Sequence, residues 1–419
     1  MGYTFVEKIL AKAGCVPEAK VGQIVNAEVD WAMSHDNAIQ VLTNFSKIGL
    51  EKVWNPEKIV IPLDHRVPAN NIETAKGHKE VRELVRKQGI KYFYDIRAGI
   101  CHQVMPEFGH VHPGDVIVGT DSHTTTYGAF GAFSTGIGAT EMAGVWATGK
   151  LWLRVPESFK IVVKGKFHPA VSAKDLILHI IGDLKADGAD YKSVEFTGPA
   201  IDSMSLSSRM VLCNMAMEAG AKNAYVAPNE EVYAYVKARS GRGFTPVFPD
   251  KDAKYERIIE YDVTNMKPKL ACPHSVDNVC DVREKAGTKI DQVVLGSCTN
   301  GRMEDLEIAA RILEGKKIAD HVRMLVIPAS TRIYEEAIEK GLISTFIKAG
   351  AVVLNSGCGP CLGAHQGILA PGEVALTTTN RNFEGRMGDK TSQIYLASPA
   401  TAAYSALKGF IADPSEVIA

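Results

Sequence analysis

Short apolar runs rich in β-branched residues recur along the chain, and most end beside a residue that carries chemistry. Ile59–Leu63 leads into Asp64-His65, and Val116–Gly119 into Asp121-Ser122-His123. Val293–Leu295 leads into Cys298, Val352–Leu354 into Cys358, and Val374–Thr377 into Asn380-Arg381. Amphipathic stretches of helical period alternate with these runs, which predicts α/β layers on mostly parallel sheets. Parallel sheets collect their ligand sites beyond the carboxyl ends of strands. The pattern therefore predicts several sheets aiming their loops at one shared cleft.

Strands are expected at Lys58–Leu63, Asp115–Gly119, Phe159–Val163, Gln292–Gly296, Arg323–Ile327, Ala351–Asn355 and Glu373–Thr378. Helices are expected at Ile72–Gln88, Ala173–Leu184, Ser205–Ala219, Glu304–Glu314 and, entered through Pro399, Ala400–Phe410. A chain of 419 residues exceeds what one hydrophobic core usually serves. Breaks near Val155-Pro156-Glu157-Ser158 and across the polar stretch from Lys267 to Lys289 divide it into three α/β domains of similar size, 1–155, 156–282 and 283–419.

The formal net charge of −1, with no basic stripe, argues against a partner that is nucleic acid or a membrane surface. No apolar run is long enough to cross a bilayer, and the first residues fit neither an export signal nor a myristoylation site. A cytoplasmic location is the expectation. In that setting the eight cysteines are expected to stay reduced, so clustered ones read as ligands or redox groups.

Two cysteines form Cys358-Gly359-Pro360-Cys361, and Cys298 stands alone in Gly296-Ser297-Cys298-Thr299-Asn300. Spacing alone leaves an iron–sulfur ligand set, a thioredoxin-like dithiol, a structural zinc site and simple burial all open. Against the dithiol, Asn355-Ser356-Gly357 precedes the pair where an aromatic would be usual. Against zinc, His365 is the one nearby candidate for a fourth ligand. His110 and His112 resemble a metal pair but fall in a loop, and no chemistry is assigned to them. The glycine-rich run from Gly128 to Gly138 lacks both GxGxxG and a P-loop lysine, which argues for close packing rather than a nucleotide.

Taken in order, Gly119-Thr120-Asp121-Ser122-His123-Thr124, Ser297-Cys298-Thr299-Asn300, Gly357-Cys358-Gly359-Pro360-Cys361, Asn380-Arg381-Asn382-Phe383-Glu384-Gly385-Arg386 and Leu396-Ala397-Ser398-Pro399-Ala400-Thr401 resemble the aconitase superfamily. The likeness runs nearly end to end and is strongest to the large subunits of 3-isopropylmalate dehydratase and homoaconitase. It implies that Cys298, Cys358 and Cys361 hold one [4Fe–4S] cluster per chain, with one iron open to substrate. Asp64 and His65 resemble the family's acid dyad, His102 with Asp121 and His123 with Glu218 its His–carboxylate pairs. Ser122, Asn214, Asn300 and Asn380 resemble polar contacts to substrate or sulfide. Arg381 and Arg386 resemble the guanidiniums that hold substrate carboxylates, and His35-Asp36 matches the position of a substrate contact loosely. Read without the family, Glu218 would sit on a solvated helix face and Arg386 in a surface ion pair.

The resemblance further implies a hydro-lyase acting on a hydroxy di- or tricarboxylate, with isopropylmalate in leucine biosynthesis ahead of homocitrate or another alkylmalate. Single-chain aconitases carry a mobile C-terminal domain that supplies the base, and no segment here resembles it. A separate small subunit bringing the base and the specificity loop is therefore expected. An RNA-binding, non-catalytic relative is the alternative class, and the near-neutral charge weighs against it.

Overall fold

The structure, a computed structural model, describes residues 2–418. Its first sheet has five strands, all parallel, in the order Tyr92–Tyr94, Ile59–Pro62, Trp31–Met33, Val116–Gly119, Phe133–Gly136. The second has four parallel strands, in the order Asn223–Val226, Ser193–Thr197, Ser158–Lys164, Arg257–Asp262. The third has seven, ordered Val279–Asp281, Lys269–Ala271, Gln393–Leu396, Val374–Thr377, Gln292–Gly296, Arg323–Ile327, Val352–Val353. Its pairings are parallel apart from the two made by Lys269–Ala271, which runs antiparallel to both Val279–Asp281 and Gln393–Leu396. A small antiparallel ribbon joins Ile24–Glu28 to Lys150–Arg154. These are the expected α/β layers.

Two expectations shift. A boundary at 282 would assign 269–271 and 279–281 to the second unit, yet both strands hydrogen-bond into the third sheet. Sheet membership changes between Asp262 and Lys269 instead. The expected helix at Ser205–Ala219 is an α-helix only over Leu206–Met215, entered by a cap in which Ser205 Oγ accepts from the Ser208 amide at 3.1 Å. It tightens to a 3₁₀ turn over Ala216–Ala219 and stops at Gly220, whose φ of 88° needs no Cβ. That tightening turns Glu218 inward, where it is buried rather than solvated.

Side-chain alternation along the first sheet's strands splits its core in two. Ile59, Ile61, Val116 and Val118 pack outward against the chain's first helices. Val60 and Ile117 face the other way, into a buried cluster continuous with Ile161 and Val194 of the second sheet and Val294 and Ile327 of the third. Cys298 and Cys358 belong to that shared cluster. The strand ends therefore converge where three sheets meet.

Candidate functional site

The first sheet supplies acids and imidazoles. Just past the strand Ile59–Pro62, Asp64 is fully buried and accepts from His65 Nδ1 at 2.6 Å and the Cys101 amide at 2.7 Å. Past Val116–Gly119, Asp121 Oδ1 accepts from His102 Nε2 at 2.9 Å and from the His123 amide at 2.7 Å. Its Oδ2 lies 3.3 Å from His65 Nε2. Asp121 thus bridges the two expected groups, Asp64–His65 and His102. Burial alone would neutralise His65, but a thiolate at Cys358 when that thiol gives up its proton, the charge of Asp64 and the bonds to Asp121 and Asp64 hold its pKa well above the usual imidazole value. Burial likewise opposes ionisation of Asp121, and the surrounding imidazoles overcome it, so the carboxyl lies well below the carboxylate range.

The second sheet sends in Asn214 and Glu218. Glu218 Oε1 accepts from His123 Nε2 at 2.6 Å and from Arg381 Nε at 2.8 Å. These partners outweigh burial and keep Glu218 ionised below its ordinary pKa. Arg381 also donates to Ser122 Oγ at 3.0 Å, so one guanidinium ties all three sheets together. Its Nη2 also donates to Met217 Sδ at 2.9 Å, so Nε and Nη2 are spent on the protein.

The third sheet brings the thiols. Gly296 ends its strand at a φ of 132°, and a Cβ there would fall 2.0 Å from the Ile327 carbonyl, so only glycine turns the chain tightly enough to aim Cys298 inward. Cys358 takes its position from the first sheet: its amide donates to the Asp64 carbonyl at 3.0 Å. Two more bonds stitch the same loops, Asn355 Nδ2 to the Val67 carbonyl at 2.8 Å and His365 Nε2 to the Pro68 carbonyl at 2.7 Å. Asn214 and Asn380 each donate to Cys298 Sγ at 3.5 Å, and the Cys361 thiol lies 3.5 Å from Asn380 Oδ1.

A small cavity lies between these walls. Cys298, Cys358, Cys361 and Ser297 line one side, with Asn380 and Arg386; His65, His102, Asp121 and His123 line the other. Burial pushes the Cys298 thiol up to about 11 and raises that of Cys358 further, so these thiols stay protonated unless a cation replaces the proton. The Ser297 and Thr299 hydroxyls and Asn300 Oδ1 are buried with no partner. Unpartnered polar atoms beside three converging cysteines fit a thiolate-held iron–sulfur group. Zinc fits less well, because His365 spends its Nε2 on a backbone carbonyl away from the cysteines. A Cys358–Cys361 dithiol fits less well too: among the described residues the cysteines in sulfur–sulfur contact are Cys272 and Cys280.

Three expected contacts are placed differently. Asn300 turns its amide to Asp305 Oδ1 at 2.8 Å, away from the cysteine sulfurs. His35 stacks on His65 with ring centres 4.0 Å apart and lines a wider opening outside the cavity. Arg386 faces the cavity but places Nε on the Cys361 carbonyl at 2.7 Å. His110 bonds Tyr94 at 2.6 Å within an aromatic cluster, away from the site.

Two residues hold supporting roles that the sequence did not reveal: Asp36, read there only as a loose substrate contact beside His35, and Lys174. Asp36 Oδ2 accepts from both the Asp64 and His65 amides, at 2.9 and 2.7 Å, while Oδ1 bonds His78 Nε2 at 2.9 Å. It too follows a strand, Trp31–Met33, and that position was the available signal. Lys174 is fully buried and donates to the Thr378 and Thr379 carbonyls at 2.8 and 2.6 Å, bracing the segment that leads to Asn380. A lysine in a mostly apolar helix offered no comparable signal.

The family model for the aconitase family (aconitate hydratase) matches residues 7–289 and 283–409. The chain is 53% identical over 418 residues to the probable 3-isopropylmalate dehydratase large subunit of Methanothermobacter thermautotrophicus, covering 100% of both chains. It is 54% identical over 415 residues to the probable methanogen homoaconitase large subunit of the same organism, covering 98% of this chain and 97% of that one. The crystal structure of Thermococcus kodakaraensis aconitase X in its holo form aligns with 94% of this chain and 89% of that chain, at a TM-score of 0.49 and 14% identity.

Proposed function

Because the chain belongs to the aconitase family, a family of hydro-lyases, we propose that it is the iron–sulfur subunit of a 3-isopropylmalate dehydratase, interconverting 2- and 3-isopropylmalate by removing and re-adding water. The observation that carries this reading is the shared cavity, lined by three cysteines together with His65, His102, His123 and Asp121.

In this proposal Cys298, Cys358 and Cys361 hold one [4Fe–4S] cluster, which when bound supplies an iron with an open position, a Lewis acid for a hydroxyl and a carboxylate. His65, kept protonated between Asp64 and Asp121, delivers a proton from Nε2 to the departing hydroxyl, which leaves as water. His102 and His123 keep fixed tautomers through Asp121 and Glu218 and orient the substrate's oxygens. Arg381 and Arg386 offer planar donors to its carboxylates, with Ser122 setting the tilt of Arg381. Asn214 and Asn380 donate toward the sulfurs.

The base that removes the carbon-bound proton, and the loop that reads the side chain, are assigned to a separate small subunit. Support comes from the relatives' names, which call them large subunits. Among the described residues no helix is long and apolar enough to cross a membrane.

A second reading has its own support, since the relative named homoaconitase is as similar as the one named isopropylmalate dehydratase. Reconstituting the chain anaerobically with iron and sulfide, adding the small subunit and following alkene absorbance separates them. The expected result is a kcat/KM at least tenfold higher for isopropylmalate than for homocitrate. The reverse preference transfers the chain to the homoaconitase reading, and no alkene from either substrate overturns both.

A further inference from the structure

Cys272 and Cys280 play no part in the cavity, yet they are placed together. The strands Lys269–Ala271 and Val279–Asp281 run antiparallel with Leu270 opposite Cys280, so Cys272, two residues beyond Leu270, projects from the same face. Their sulfurs are 3.5 Å apart. Cys272 is buried and Cys280 is partly exposed. The backbone at Cys272 is also wired to the site: Asn382 Nδ2 donates to the Cys272 carbonyl at 2.7 Å and to the Ser275 carbonyl at 3.3 Å. Asn382 directly follows Arg381.

We propose that Cys272 and Cys280 are a reversible thiol–disulfide modification site that controls substrate affinity through Asn382 and Arg381. The oxidant is a low-molecular-weight disulfide. The sulfur of the more exposed Cys280 attacks it, forming a mixed disulfide and releasing one small thiol. Cys272 then attacks Cys280 Sγ and displaces the second small thiol. Two protein thiols and one small disulfide become one protein disulfide and two small thiols, with no other reactant.

A disulfide closes the sulfurs to about 2.05 Å. Movement of the Cys272 backbone then weakens its bond from Asn382 and shifts Arg381 off Glu218 and Ser122. The effect falls on substrate binding and leaves the cysteine ligands untouched.

The test treats the reconstituted holoenzyme anaerobically with glutathione disulfide, maps peptides without reduction and measures KM. Expected are a Cys272–Cys280 cross-linked peptide, unchanged visible absorbance and a KM raised about fivefold or more. Reduction restores both, and Cys280→Ser, at a partly exposed position, gives no response. Absence of the cross-link, an unchanged KM after cross-linking, or the same KM rise in Cys280→Ser each overturns the proposal. The kinetic arm rests on the hydro-lyase reading. An untreated enzyme without turnover counts against that reading, while the mass of the cross-linked peptide still decides the dithiol.

Discussion

The imidazole wall from the first sheet and the thiol wall from the third face each other across one cavity, but they are completed by different means. On the imidazole wall every acid has protein partners: Asp64 and Asp121 bond imidazoles, Glu218 bonds His123 and Arg381, and Asp121 and Glu218 lie below their ordinary pKa. On the thiol wall burial dominates. The Cys298 and Cys358 thiols are pushed up, as is the buried carboxyl of Asp305 behind them, to about 7, and the Ser297 hydroxyl has no partner. One wall is preorganised by its own charges, and the other is shaped for a charge that comes from outside.

The largest effect tests the thiol wall. Cys358→Ser is expected to abolish iron binding and lower turnover by about a thousandfold or more, since a Lewis acid is worth several kcal/mol. Iron content and visible absorbance read the first loss, and substrate turnover the second. Full activity in this variant would break the contrast outright.

Next comes the proposed acid of the imidazole wall. His65→Gln is expected to lower kcat by about 10²- to 10⁴-fold while iron content stays at the wild-type level. If iron is lost along with activity, the walls are not separable and the comparison fails. Arg381→Lys keeps the charge but loses the fork, and the expected result is a KM raised about 10- to 100-fold with a smaller change in kcat.

The smallest effect concerns pH. Asp305 holds its proton up to about 7 in the fold, against an ordinary 3.8 when unfolded. The folded state therefore binds more protons between those values, and this group's stability contribution, present below about pH 4, is lost as pH rises toward 7. Urea unfolding of the cluster-free chain should show a decline on the order of 2–4 kcal/mol across that window. Asp305→Asn should flatten it. Asp121 and Glu218 act in the opposite sense, their contribution fading as pH falls through the acid range. An unchanged slope in Asp305→Asn would remove this part of the contrast.

Much of this was legible because strand ends advertise themselves. Asp64, Asp121, Cys298, Cys358 and Asn380 each follow an apolar run, and each reaches the convergence zone the pattern predicted. What the pattern could not carry was the inward turn of Glu218, which depends on a helix tightening against Gly220. Nor could it place the strands 269–271 and 279–281, because three-residue strands carry too little periodicity to show which sheet they join. Asn300 bonds Asp305, the third residue of the following helix, in a local contact that motif spacing does not reveal.

The three bonds that stitch residues 64–68 to 355–365 set an order of assembly. The Cys358 loop takes its shape from a carbonyl nearly three hundred residues earlier, so the thiol triad is complete only after distant parts of the chain have docked. In the reading proposed above, loading of the inorganic cofactor would then work as an inspection step: chains with misplaced halves would offer an incomplete set of ligands and stay empty.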